Sequence, residues 1–395
     1  MVNLNFFYKN YPGNLITGLT YLYGSKISSR PIEEFNRECT NSFYSIHFSR
    51  DIKDYLYSYD FINDAREIIN TGGTILIDYT LEADTVIRPC IVYLLENIKE
   101  AQLPIDSFKF VYNNSESIEP TFISIREYKL QTLYFPFLYA EAHRQQNEYF
   151  KPTGEVYDSN KAVKDFLMLN RRVGTNKFIA IHELVKRGWR DRSLMTFVDM
   201  RPNLKVDIKT NQDWLDTLEK LGLTYPITAP LQLEGDVEYG TDLAWSDEFL
   251  YTVNPKWYEQ AKINIIVETW SNSTIPGSLE SWSKMVHHTE KVFKPIGFNS
   301  PFVVYSGKNY LDRLHKLGFR TDFLSDEDND YDNEDDDKRL AKVLDLADKY
   351  SRNYDSGRMK EVCLHNQNQF LNINNLKDIV KKYFLDAIIK EVHLI

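Results

Sequence analysis

Thr289, Glu290 and Lys291 place a hydroxyl, a carboxylate and an ammonium side by side where the pattern turns into a helix. A helix start presents unbonded backbone N–H groups and the positive end of the helix dipole, which suits an anion such as phosphate. Lys291 adds a full positive charge beside those donors. Glu290 can accept two hydrogen bonds from a vicinal diol such as a ribose. A carboxylate for the sugar and an ammonium for the diphosphate are what a nucleoside diphosphate requires. The same spacing also describes an ordinary helix cap, with Thr289 as N-cap and an acidic first turn. On spacing alone the cap is the commoner reading.

Other reactive side chains point to less. His287 and His288 have no third ligand nearby, and adjacent histidines rarely face one ion. A loop beside the ligand is expected for them, with neither acting as base. The acidic run Asp326 to Asp337 contains Asp-Asn-Asp and Asp-Tyr-Asp. A metal site needs carboxylates held in a pocket, whereas a run of like charges is ordinarily a solvated loop. No metal is therefore expected. Cys39, Cys90 and Cys363 are scattered and odd in number, so neither a disulfide framework nor a zinc site is supported and a cytoplasmic setting is expected. The opening MVNLNFFYKN lacks a basic region followed by a long apolar stretch, so no signal peptide is expected. No apolar run reaches the length of a membrane span.

The elements that must position these residues alternate. A chain of 395 residues, 43% apolar and 14% aromatic, suits two domains with substantial cores. Its formal charge of −10 argues against a surface wholly given to nucleic acid, though a local basic groove stays open. Phe61 to Asn70 reads as a helix stopped by Gly72-Gly73, and TILIDY (Thr74 to Tyr79) as a buried strand. A helix from Cys90 to Ala101 and a strand from Phe108 to Asn114 follow. The aromatic-rich stretch Tyr128 to Arg144 belongs to the same domain or covers its edge. Lys151 to Ala162 is the linker candidate. The pattern then restarts with a strand Asp165–Leu169, a helix Lys177–Gly188 and a strand Leu194–Met200. Asp213–Leu221 reads as helix. NIIVETW (Asn264 to Trp270) and PFVVYS (Pro301 to Ser306) read as strands. Tyr310–Phe319, Lys338–Tyr350 and Leu376–Val392 read as helices. Strand–helix–strand units with short connections imply parallel sheets. The fold class expected is α/β, with two Rossmann-like domains facing a cleft. The domains expected are 1–150 on the acceptor side, 163–365 for the nucleotide sugar, and 366–395 as a C-terminal helix.

The order Glu-Thr after an apolar strand, a loop, Thr-Glu-Lys, Lys-Pro-Ile, Pro-Phe-Val-Val and Gly resembles the donor-binding signature of α1,3-fucosyltransferase-like glycosyltransferases. It is even more similar to transferase-like proteins common in bacteriophages. There the pattern continues as Leu-x-x-Leu-x-x-Leu-Gly-Phe, matched by Leu311, Leu314, Leu317, Gly318 and Phe319. An Asp-Tyr-Asp element with an Arg follows, matched by Asp330, Tyr331, Asp332 and Arg339. An upstream Asn-Arg-Arg element is matched by Asn170, Arg171, Arg172 and Lys177. The resemblance covers about Phe166 to Tyr350 and implies the two-domain arrangement called GT-B, with the last helix crossing back to the first domain. It implies that Glu290 binds ribose, Lys291 binds diphosphate, Thr289 opens the motif, and Glu268 lines the pocket. The family usually has an arginine on the helix after the Asn element, to neutralise the leaving diphosphate. Lys177 stands there, keeping the charge without the bidentate fork. Arg171 and Arg172 are alternatives for the fork, or a solvated basic loop.

The implied activity is metal-independent hexosyl or pentosyl transfer from a UDP- or GDP-linked sugar to an acceptor hydroxyl, with no other cofactor. An inverting transfer needs a general base, for which Glu82 and then Asp78, at the end of TILIDY, are the candidates. A hydroxymethylated base in phage DNA is one acceptor, bound by Arg144, Lys151, Arg171, Arg172, Lys186, Arg187 and Arg190, in the host cytoplasm. A glycan or protein acceptor is the alternative. A non-catalytic binding or virion-associated protein that keeps the fold is the other class. A sugar epimerase is weakened by the lack of GxGxxG after the first strand.

Overall fold

The computed structural model describes residues 4–9, 12–35, 42–47, 59–79, 87–112, 130–149, 161–170, 175–197, 255–268 and 288–392. Glu82, Lys151, Arg171, Arg172, His287 and the expected helix at 213–221 lie outside the described residues, as does most of the expected linker. The chain divides into two compact units, Met1–Arg144 with Ile373–Ile395, and Gln145–Asn372.

The first unit contains β1 (Leu4–Tyr8), α1 (Gly13–Tyr23), β2 (Ile27–Pro31), β3 (Ser42–His47) and α2 (Tyr59–Asn70). It continues with β4 (Thr74–Tyr79), α3 (Ile87–Glu100), β5 (Phe108–Tyr112), β6 (Gln131–Tyr134) and α4 (Phe137–Tyr149), whose end passes the unit boundary. Its sheet has the order β2-β1-β3-β4-β5-β6, parallel throughout. One face buries Tyr44, Ile46, Ile75, Ile77, Phe108 and Phe110. Parallel strands covered on both faces read as continuous apolar runs, which is why TILIDY is so plain. The glycine stop is a Schellman turn. Gly72 has φ of 78°, and the N–H of Gly73 reaches Ile68 O at 2.9 Å. The described part of the stretch Tyr128 to Arg144, residues 130–144, supplies the edge strand β6 and most of α4.

The second unit contains β7 (Lys164–Asn170), α5 (Thr175–Lys186), β8 (Ser193–Phe197), α6 (Pro255–Gln260) and β9 (Ala261–Val267). It continues with α7 (Glu290–Gly297), β10 (Phe302–Tyr305), α8 (Tyr310–Lys316), α9 (Asp336–Arg352) and α10 (Gly357–Leu371). The sheet order is β10-β9-β7-β8, again parallel. It grows in opposite directions from β7, so its topological switch point lies between β7 and β9. Ligands of open α/β sheets bind beyond the carboxyl ends of the strands at such a point. The chain is thus of the α/β class, with a Rossmann-like parallel sheet in each unit.

The C-terminal segment belongs to the first unit from Ile373 onward. It comprises α11 (Ile373–Val380), a π turn (Lys381–Leu385) and α12 (Asp386–Val392). The continuous helix expected over Leu376–Val392 is therefore interrupted. The wider turn accommodates an extra residue where Phe384 and Leu385 are both buried. Phe384 packs on Phe135 at 5.6 Å between ring centroids, and Tyr23 OH donates to Lys377 O at 3.0 Å.

The acidic run is only in part the solvated loop expected: Asp326, Glu327, Asp330 and Asp335 are exposed, but two of its carboxylates are not. Asp326–Asn333 forms a 3-10 turn and α9 starts at Asp336. Asp328 and Asp332 are buried because each exchanges water for backbone donors. Asp328 Oδ2 accepts from the N–H groups of Leu324 (2.7 Å) and Ser325 (2.9 Å). Asp332 Oδ2 accepts from Leu311 (3.1 Å) and Asp312 (3.3 Å), capping α8. Burial pushes the Asp332 carboxyl up to about 6 despite those donors and the Arg339 charge. Among the described residues, no helix is long and apolar enough to cross a membrane.

Candidate functional site

Glu268 directly follows β9, and its N–H donates to Tyr305 O of β10 at 3.0 Å, so the ladder itself fixes it at the carboxyl edge. Its side chain is 2% exposed. A carboxylate so buried needs donors on its oxygens. Oε1 accepts from Thr289 Oγ1 (2.9 Å), Thr289 N (3.3 Å) and Tyr310 OH (3.0 Å). Oε2 accepts from Lys291 Nζ at 3.3 Å.

Thr289 is the N-cap of α7. Its hydroxyl donates to Glu268 and accepts from Lys291 N (3.3 Å) and Lys291 Nζ (2.9 Å), which uses the full capacity of a hydroxyl. The cap and the site are therefore the same structure, and the two readings of the Thr-Glu-Lys spacing do not compete. Lys291 Nζ also lies 3.6 Å from Glu290 Oε1.

The first turn of α5 brings two more groups to this edge. Asn176 Nδ2 donates to Glu268 O at 2.5 Å, and Lys177 is buried. Burial by itself would raise the Glu290 carboxyl, but the nearby charges of Lys291, Lys294 and Lys177 and a backbone hydrogen bond hold it down at about 2. The edge thus presents an ionised carboxylate among three ammonium groups at the start of a helix.

His288 packs on Tyr310. Its Nε2 donates to Tyr310 O at 3.1 Å, and the two rings meet edge to face at 4.5 Å. It is buried against α8. Among the described residues, no group of three or more His, Cys, Asp or Glu side chains could hold a metal ion.

Five of the residues singled out in the sequence, Glu268, Thr289, Glu290, Lys291 and Lys177, belong to the loops and helix starts at this one edge. Asp78 belongs to the first unit. It is fully buried, and Oδ2 accepts from Leu15 N at 3.1 Å in the first turn of α1. The Asp-Tyr-Asp element and Arg339 are structural. Tyr331 OH accepts from Val304 N at 3.3 Å. Arg339, fully buried, donates to Glu334 O at 2.8 Å and to Ser306 O. Of the basic residues considered for a nucleic-acid face, Arg144 pairs with Glu141, Lys186 with Glu183 and Arg187 with Asp345. Tyr310 and Asn176 were not singled out, and Lys294 entered only within the Lys-Pro-Ile of the resemblance. Tyr310 meets Glu268 across 42 positions of sequence, and no local spacing signals that contact.

Glu290 gives a pH signature whose sign is fixed. Its folded-state carboxyl is depressed, so the stability it contributes is present above the unfolded value of 4.5 and is lost as pH falls from there towards 2. A shift of this size corresponds to about 3 kcal/mol. Glu290→Gln is expected to be less stable than the parent by about that amount at pH 7, with the gap narrowing between pH 5 and pH 3. Urea denaturation of both proteins at those pH values measures it, and a gap that does not change with pH would contradict the charge arrangement.

No known family profile matches the chain, and no curated protein is similar to it in sequence. Among solved structures it is similar to α,α-trehalose 6-phosphate synthase from Burkholderia multivorans, at 12% identity and a TM-score of 0.45, over 92% of this chain and 74% of that one. A second is the UDP-forming α,α-trehalose-phosphate synthase from Burkholderia xenovorans, at 10% identity and a TM-score of 0.40, over 90% of this chain and 75% of that one. Likeness at this level assigns neither a reaction nor a substrate.

Proposed function

We propose that the second unit holds the nucleoside diphosphate of a UDP- or GDP-linked sugar, and that the chain transfers the sugar to an acceptor hydroxyl. The observation that carries this reading is the convergence of Lys291, Lys177 and the ionised Glu290 at the carboxyl edge beside the switch point. Glu290 accepts from the ribose hydroxyls. Lys291 and the positive end of the α7 dipole meet the diphosphate. Lys177 offsets charge developing on the leaving diphosphate, as a point charge rather than a fork. Electrostatic stabilisation of that kind carries the transfer without a metal.

The reading includes a GT-B arrangement, with the base supplied by the first unit. Glu82 is the first candidate for it, ahead of Asp78, whose carboxylate already serves α1. A double-stranded DNA acceptor calls for clustered cations free to meet phosphates. Arg144, Lys186 and Arg187 each face a carboxylate, so the proposal extends to a hydroxyl acceptor and no further.

Many transferases release sugar slowly to water when no acceptor is present, because the donor side alone assists departure of the diphosphate. Incubation with a panel of UDP- and GDP-sugars is expected to release UDP or GDP from one of them. Release from none, together with tight binding of a nucleotide sugar, would mark a binding protein that keeps the fold.

A further inference from the structure

Resting on Lys291 as the diphosphate contact, we propose that Tyr310 is a positioning residue for that ammonium, acting through Glu268 and Thr289. A lysine is a point charge on a flexible four-carbon stem, and ordering it costs about 2 kcal/mol of rotamer entropy. Here that freedom is removed in advance. Lys291 Nζ is seated on Thr289 Oγ1 (2.9 Å) and Glu268 Oε2 (3.3 Å). The seat is only as firm as Glu268, whose other oxygen takes Tyr310 OH at 3.0 Å.

Tyr310 is itself fixed at the head of α8. Its ring lies against His288 and its carbonyl accepts His288 Nε2. The next two N–H groups are capped by Asp332. Burial pushes the phenol well above its ordinary value, so it stays a donor at physiological pH. Without that donor, the buried carboxylate gains by turning towards Lys291 or drawing it inward, and the ammonium no longer faces the ligand side.

A double-mutant cycle separates this role from a merely structural one, because only residues acting as a unit are non-additive. UDP and GDP are titrated calorimetrically into the full chain, Tyr310→Phe, Lys291→Ala and the double variant, with melting temperatures recorded for each. Tyr310→Phe is expected to weaken binding by about tenfold in the parent and less than about twofold once Lys291 is gone. Additive losses, or no loss from Tyr310→Phe, would overturn the proposal while leaving the donor site standing. If the parent binds neither nucleotide, the donor-site reading itself fails and this inference falls with it. Should Tyr310→Phe not fold, Glu268→Gln keeps the acceptor for Tyr310 but loses the ion pair, and the same non-additivity with Lys291→Ala is required of it.

Discussion

Lys291→Ala is expected to weaken the binding of UDP and GDP by about a hundredfold, the loss of a charge-assisted phosphate contact of about 3 kcal/mol. The fold should survive. Lys291 retains 20% side-chain exposure and lies in the first turn of α7 rather than in the core. Glu268 keeps the hydroxyls of Thr289 and Tyr310, and Glu290 keeps the field of Lys294 and Lys177. The buried Glu268 carboxylate nonetheless loses its ion pair, and Glu290 loses the largest of the charges that hold it down. A fall in melting temperature of about 8 °C, or about 3 kcal/mol, therefore accompanies the loss, and affinities are compared well below the transition. The truncation also leaves two carboxylates close to the phosphate position, so the effect exceeds that of removing a surface charge. Calorimetric titration with thermal melting measures both quantities. Unchanged affinity for both nucleotides would count against the site.

Arg339→Met should do the opposite, destabilising the second unit by about 4 kcal/mol without touching a ligand contact, because it removes one partner of a buried polar network. The guanidinium is fully buried and donates to Glu334 O and Ser306 O. It also moderates the charge of Asp332, whose carboxylate caps α8. Methionine keeps much of the stem volume but leaves two carbonyls without these donors and Asp332 without its cation. A fall in melting temperature of about 10 °C is expected on that basis. Nucleotide affinity measured well below the transition should stay within about threefold of the parent, since distant sites act independently. A large affinity loss with unchanged melting would place Arg339 in the ligand site instead.

Several strands covered on both faces were legible, whereas β1 and β3, just as buried, were not read. TILIDY, DFLML, INIIV and PFVVY have runs of buried apolar residues, which is the signature of parallel pairing. The edge strand β2, ISSRP, exposes Ser29 and Arg30 and carries no such run. Helix α10 was not read because its buried face is broken by amides. Asn366 bonds the backbone of Arg320, and Gln367 donates to Gly297 O. An apolar stripe cannot show a face whose burial rests on hydrogen bonds. Part of the acidic run was missed for a related reason: composition does not show which carboxylates find backbone donors.

At the site, Thr289-Glu290-Lys291 was legible because a helix start is a local signal. The support beneath it was not. Glu268 was placed near the motif by resemblance to fucosyltransferase-like enzymes, as a pocket-lining group. The hydrogen bonds set it at the centre of a buried network that seats Lys291. Tyr310, the partner that completes this network, reads in sequence as no more than the first residue of a helix.

The most direct test is a crystal structure of the chain grown with UDP and another grown with GDP. In one of them the diphosphate should lie against the first turn of α7 within hydrogen-bond distance of Lys291 Nζ, with the ribose hydroxyls on Glu290 and Lys177 facing the terminal phosphate. A nucleotide bound elsewhere, or one whose phosphates avoid Lys291 while the second unit stays folded, would contradict the account.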